Sequence, residues 1–207
     1  MNQLQLETCQ VGPWGMNSYA LICPHSGESV LIDPGDDPET LAEMLAGSKP
    51  RAILLTHSHP DHVGALAEMR RRLQVPVMAH PGSPEPMGVP VEADRWLSNG
   101  ERITVGAFTL TVQTAPGHIG NQVCFILDDD RRVIVGDTIF YGGPGKTWSA
   151  EGFAETRQTL GDVVLAWPDE TICYPGHGPA FRLGNRRAAV EAFLAKDHGD
   201  FHGDATW

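Results

Sequence analysis

Residues 54–64 read LLTHSHPDHVG, an apolar run followed at once by His57, His59, Asp61 and His62. The run belongs to AILLT (52–56), whose near-continuous apolar character is that of a buried strand. A strand that stops at one edge of a sheet delivers the next residues to that edge, so three imidazoles and a carboxylate arrive on one rim. His57 and His59 are two apart and point the same way in an extended loop. Pro60 turns the chain, which lets Asp61 and His62 face back across a small gap. Neutral imidazole and carboxylate are ligands that borderline divalent metals such as zinc accept readily. Crowded together without a cation, they would leave a buried carboxylate uncompensated.

The same context recurs along the chain. His118 follows the apolar alternation of ITVGAFTLTVQTAPGH (103–118), Asp137 ends RVIVGD, and His177 ends TICYPGH (171–177). Separately satisfied histidines would not account for this shared placement.

Working outward, short apolar runs alternate with Gly/Pro-rich turns. YALIC (19–23) and SVLIDPG (29–35) predict paired strands. Asp37 and Pro38 open a helix as N-cap and first helical residue. A helix is expected over 63–73, a strand over 75–80, and a surface loop with four prolines over 81–100. A hairpin about Gly106 follows, and VCFIL and RVIVG flank a turn at 128–131. Helices are expected over 153–167 and 185–196. Two successive β-rich halves, each finished by helices, predict an α/β (α+β) protein with two sheets stacked face to face and helices outside. One domain over 1–196 and a polar, frayed tail over 197–207 are expected, with no metal site at His198 and His202.

Composition narrows the partners. The 207 residues carry a formal charge of −11, which works against nucleic acid as a partner. No window approaches the roughly 18 apolar residues of a membrane helix, so no membrane partner is expected. The N-terminal MNQLQLETCQVG has neither the basic nor the long apolar segment of a secretory signal. The scattered Cys9, Cys23, Cys124 and Cys173 suggest a reducing, cytoplasmic setting without disulfides. Oligomeric state is left open.

THSHPDH, from Thr56 to His62, resembles the T-H-x-H-x-D-H signature of the metallo-β-lactamase-fold hydrolases. APGH ending at His118, GDT around Asp137 and PGHG around His177 follow in the order of that family. The resemblance runs from about residue 10 to about residue 190. It implies a four-layer αββα sandwich with two divalent metal ions at one edge, zinc first, iron or manganese as alternatives. One is implied on His57, His59, His118 and Asp137. The other is implied on Asp61, His62, His177 and the bridging Asp137.

Within that family, zinc β-lactamases of the commonest type carry Cys at the position of Asp137, and flavodiiron proteins carry Glu at that of His59. The complete ligand set here resembles glyoxalase II, which hydrolyses S-acylglutathione thioesters, and certain lactonases. GDTIFYGGPGKTWSAE (136–151) is similar to a glyoxalase II stretch whose Lys and Tyr contact glutathione. Lys146 matches the Lys, and Trp148 stands in place of the Tyr. Tyr141 is a further candidate for substrate contact. Persulfide dioxygenases, relatives that use one iron on residues matching His57, His118 and Asp137, tend to show G-R-T-D where this chain does not. Thirty residues follow His177, too few for the C-terminal helical domain of full-length glyoxalase II. The resemblance therefore implies a short glyoxalase II-like thioesterase that acts through a metal-bridging hydroxide, with Asp61 handling the proton. Asp33, in LIDPG, is a candidate for steadying a ligand histidine, and His80 is expected to be structural.

Overall fold

The structure, a computed structural model, describes residues 3–128 and 131–207. The first half forms β1 (Gln5–Val11), β2 (Met16–Ile22), β3 (Glu28–Ile32), α1 (Pro38–Met44), β4 (Lys49–Leu54), α2 (Pro60–Val63), α3 (Leu66–Leu73), β5 (Val77–Ala79) and β6 (Arg95–Trp96). The second half forms β7 (Arg102–Val105), β8 (Phe108–Thr114), β9 (Val123–Leu127), β10 (Arg132–Gly136), α4 (Ala150–Asp162), β11 (Ile172–Pro175), β12 (Phe181–Arg182) and α5 (Arg187–Leu194). Each half supplies one sheet, in the orders β1-β2-β3-β4-β5-β6 and β12-β11-β10-β9-β8-β7. β3 to β6 run parallel, as do β10 and β11, and the other neighbours are antiparallel.

The layering follows from strand periodicity. Successive side chains point to opposite faces, so a strand covered on both sides must be apolar throughout. In β3, Val30 and Ile32 enter the core between the sheets, and Leu31 packs outward with Leu41 of α1 and Met69 of α3. In β9, Val123, Phe125 and Leu127 face the same central core. Cys124 faces the opposite way, with Phe153 of α4 and Phe193 of α5. Three apolar layers thus lie between four structural ones, and the αββα sandwich expected from the sequence is the observed fold. Each large aliphatic side chain so buried contributes about 1.5–3 kcal/mol relative to exposure.

Three local details differ from expectation. The helix expected from residue 63 begins at Pro60 and is broken after Val63, because Pro at the first helical position starts the turn there. The helix expected from 153 starts at Ala150, where the Ser149 hydroxyl accepts the Gly152 N–H at 3.1 Å. Asp37 precedes α1 as expected, but its carboxylate accepts the Gly12 N–H at 3.0 Å instead of capping the helix. Of the turn expected over 128–131, Asp129 and Asp130 lie outside the described residues. No helix among the described residues is long and apolar enough to cross a membrane.

Candidate metal centre

The strand ends converge as their sequence context implied. His57 and His59 lie just past β4, with Asp61 and His62 in the single turn of α2. His118 follows β8, Asp137 follows β10 directly, and His177 follows β11. His57, His59, His62, His118 and Asp137 are all buried, His62 completely.

Three of these imidazoles meet at one point. The tautomer of each is fixed by the partner on its far side. The Thr56 hydroxyl donates to Asp33 Oδ2 at 2.5 Å, so it must accept from His57 Nδ1–H at 3.0 Å. His118 Nδ1–H donates to the Lys146 carbonyl at 2.7 Å, and His59 Nε2–H to the Pro86 carbonyl at 3.2 Å. The remaining nitrogens, His57 Nε2, His59 Nδ1 and His118 Nε2, are left as bare lone pairs, with His59 Nδ1 3.0 Å from the first and 2.9 Å from the last. Three acceptors aimed at one another with no proton between them are repulsive without a cation. The residues therefore fit a divalent metal ion.

The second group holds Asp61, His62 and His177, whose ligand atoms lie within 4.8 Å of one another. His62 Nδ1–H donates to Asp33 Oδ2 at 3.0 Å. Its Nε2 and Asp137 Oδ1 are buried without a hydrogen-bond partner and stand 3.4 Å apart. Asp137 Oδ2 is 3.6 Å from His118 Nε2 and 3.7 Å from His177 Nε2. Asp137 thus sits between the two groups, with Oδ2 near His118 of the first and His177 of the second, and Oδ1 near His62 of the second.

The electrostatics divide the same way. Burial holds His57 well below the ordinary histidine range, and the surrounding imidazoles push it further down. Burial, then His118, lowers His59 to about 4, and burial lowers His118. These three are neutral at pH 7, the form that ligates. Burial also disfavours a charged His62, but Asp137 and Asp33 outweigh it and raise that imidazole to about 10. Burial raises the Asp137 carboxyl, yet His62, His118 and His177 overcome this and hold it far below the usual carboxylate range. The two carboxylates thus draw positive charge into the second group, where a metal would supply it.

Support comes from further residues. Asp33 Oδ1 also accepts the Thr56 N–H at 2.7 Å, so one carboxylate steadies both His62 and the start of the THSHPDH loop. Asn17, on β2 of the opposite sheet, donates from its side chain to the carbonyls of Pro175 (2.9 Å) and Gly178 (2.8 Å). It thereby clamps the turn that carries His177. Gly176 in that turn is obligatory, since a Cβ there would lie 2.2 Å from Asp137 Oδ1. Asn17→Ala removes the side-chain donor to Gly178 and leaves the Pro175 carbonyl with the Tyr19 hydroxyl at 2.6 Å. We expect a loss of about 1–2 kcal/mol in denaturant unfolding of the metal-free protein, and a change below about 0.5 kcal/mol would contradict the clamp.

A cavity of about 460 Å³ opens beside this centre, lined by His118, Asp137, Phe140, Lys146, His177 and the tail residues Asp204 to Thr206, among others. Lys146 thus reaches the cavity. The Trp148 ring stands 6.5 Å from that of His59. Tyr141 does not line this cavity, because its ring packs against the Arg186 guanidinium and Phe181. His80 is taken up locally by the Gly82 N–H. The Pro-rich loop lines the site through Pro86, and Val89 N–H donates to the Ser58 carbonyl. The tail is not frayed. His198 donates to the Phe193 carbonyl, Phe201 packs on Phe153, and Trp207 on Phe193. Phe201 and Trp207 supply apolar anchors that the average polarity of the segment conceals.

The profile described as the metallo-beta-lactamase superfamily matches residues 12–182. This chain belongs to that superfamily. Its relatives include the probable metallo-hydrolase YqgX of Bacillus subtilis, 34% identical over 82% of this chain and 88% of the relative. A hydroxyacylglutathione hydrolase of Anaeromyxobacter dehalogenans is 35% identical over 88% of this chain and 72% of the relative. The solved structure of TTHA1623 in a di-iron-bound form superposes with a TM-score of 0.74 at 32% identity, covering 87% of this chain and 96% of that one. The chain is therefore a metallo-hydrolase of the metallo-beta-lactamase fold whose His and Asp groups suit divalent metal ions. Its sequence did not single out Trp14, 69% exposed in the GPWG turn, which lines a second cavity of about 280 Å³ shared with Asp61. A large aromatic in a Gly/Pro turn is the signal that was available.

Proposed function

We propose that this protein is a binuclear metal-dependent hydrolase of thioesters, acting on S-acylglutathione or a related acyl thiol. One observation carries the proposal: the Asp137 carboxylate stands between His57, His59 and His118 on one hand and Asp61, His62 and His177 on the other, with Oδ2 within 3.7 Å of a histidine of each group. Two divalent cations bound there would supply Lewis acidity and bring the pKa of a water from 15.7 toward about 7.

The chain's own residues do the rest. Burial raises the Asp61 carboxyl, but its bond to His177 outweighs this and holds it below the usual range, so it is ionised at neutral pH and accepts the proton of the attacking water. Asp33 and the carbonyls of Lys146 and Pro86 keep the imidazoles oriented. Because His118 hangs on the backbone of Lys146, the loop that meets the substrate also positions a ligand. Lys146 borders the space that the thiol moiety would fill, and Trp148, outside the cavity lining, stands beside His59. The products are a carboxylic acid and a free thiol, and no serine or cysteine nucleophile is needed. The hydroxyacylglutathione hydrolase relative supports the substrate class, and the di-iron form of TTHA1623 supports two metals, with zinc, iron and manganese all compatible with N/O ligands.

Protein loaded with zinc, iron or manganese is expected to release thiol from S-lactoylglutathione, and His59→Ala to abolish that release while the chain stays folded. No release from a panel of acylglutathiones would sink the proposal. Oxygen uptake with glutathione persulfide would instead favour a mononuclear iron dioxygenase.

A further inference from the structure

The last residues of the chain form one wall of the cavity beside the metal centre. They are fastened there by backbone: Thr147 N–H donates to the Gly203 carbonyl at 3.1 Å, Gly203 N–H to the Thr147 hydroxyl at 3.2 Å, and Trp207 N–H to the Gly142 carbonyl at 3.2 Å. The Trp207 indole N–H also donates to the Tyr141 carbonyl at 3.1 Å. Gly143 permits this approach, since a Cβ there would sit 2.2 Å from the Ala205 carbonyl oxygen. The wall brings one charge with it. Asp204 Oδ2 lies 3.3 Å from Lys146 Nζ, and Lys146 is the one Lys or Arg among the residues lining the cavity.

We infer that Asp204 sets the charge selectivity of this cavity by occupying Lys146, so that the wild-type protein binds thiol moieties with little regard to their carboxylates. The inference rests on the thioester proposal for the identity of the ligand alone. The Asp204 and Lys146 side chains are 77% and 42% exposed. An ion pair so open is weak and salt-screened, and a ligand can displace it. Yet a substrate carboxylate that reaches Lys146 must first push aside a carboxylate already there, which cancels most of its gain. Asp204 thus tunes which acyl thiols bind well.

The test uses the metal-loaded protein and two probes, S-methylglutathione and its diethyl ester, which lacks both carboxylate charges. Binding is followed by tryptophan fluorescence, because Lys146 Nζ lies 4.9 Å from the Trp148 ring centroid. Wild type is expected to bind the two probes within about twofold of each other. Asp204→Asn is expected to bind the acid about fivefold more tightly at low salt, with the ester unchanged. Adding Lys146→Met to that variant should remove the gain. Equal gains for acid and ester, no gain for the acid, or no binding of either probe to either protein would overturn the inference. If the binding pattern holds but no thioester is hydrolysed, the functional proposal fails and this one stands. If thioesters turn over and Asp204→Asn is silent, the reverse is true.

Discussion

Asp137→Ala is expected to lower thioester turnover by about a thousandfold or more, equivalent to about 4 kcal/mol of lost transition-state stabilisation. The same change should leave at most one tightly held cation per chain. Both effects follow from position. Asp137 is the side chain whose carboxylate reaches both groups, 3.6 Å from His118 of the first and 3.4 and 3.7 Å from His62 and His177 of the second. Its removal takes away a shared ligand and leaves two cations to repel each other with Asp61 as the carboxylate left in the second group. Asp137→Asn keeps the shape and loses the charge, so it should fall between wild type and the alanine variant. Two retained metals with turnover within about tenfold of wild type would show that Asp137 does not bridge.

The second large effect is on stability. Asp33→Ala is expected to destabilise the metal-free protein by about 3–5 kcal/mol, a substantial part of the 5–15 kcal/mol typical of a domain. Asp33 is 1% exposed and accepts three hydrogen bonds, from the Thr56 amide, the Thr56 hydroxyl and His62 Nδ1–H. Truncation leaves three buried donors unpaired and strips His62 of one of the two carboxylates that favour its charged form. Asp33→Asn should recover part of the loss through its one carbonyl oxygen, while still weakening metal affinity about 10–100-fold by misdirecting His62. Denaturant unfolding after chelation separates the two contributions. A midpoint for Asp33→Ala equal to wild type would mean that the loop is held by something else.

The sequence made the centre legible because its ligands share one signature, an apolar strand that stops and a His or Asp that follows. Asp33 was legible for the same reason, as the polar residue that ends LIDPG. The two sheets could be read from β3, β4, β9 and β10, whose stretches 30–32, 52–54, 123–127 and 133–135 are apolar and covered on both faces. Of the four edge strands, β7 was legible through its hairpin about Gly106, and the other three were not. β1 shows a mostly exposed, polar QLETCQV, and β6 and β12 have two residues each, too short for any periodicity. Asn17 escaped notice because its partners are backbone carbonyls about 160 positions away, which no residue type advertises. The tail misled because Asp, His and Gly dominate its composition, whereas its placement depends on Phe201, Trp207 and backbone hydrogen bonds to residues 142 and 147.

The central claim is that distant strand ends build a site for two cations, and metal stoichiometry tests it most directly. Chelated protein is reloaded with zinc, iron or manganese, freed of excess, and its metal counted per chain by elemental analysis. Two equivalents are expected for wild type, and one each for His59→Ala and His62→Ala, because each variant damages one group. Wild-type protein that retains no metal, or variants that both still hold two, would contradict the account.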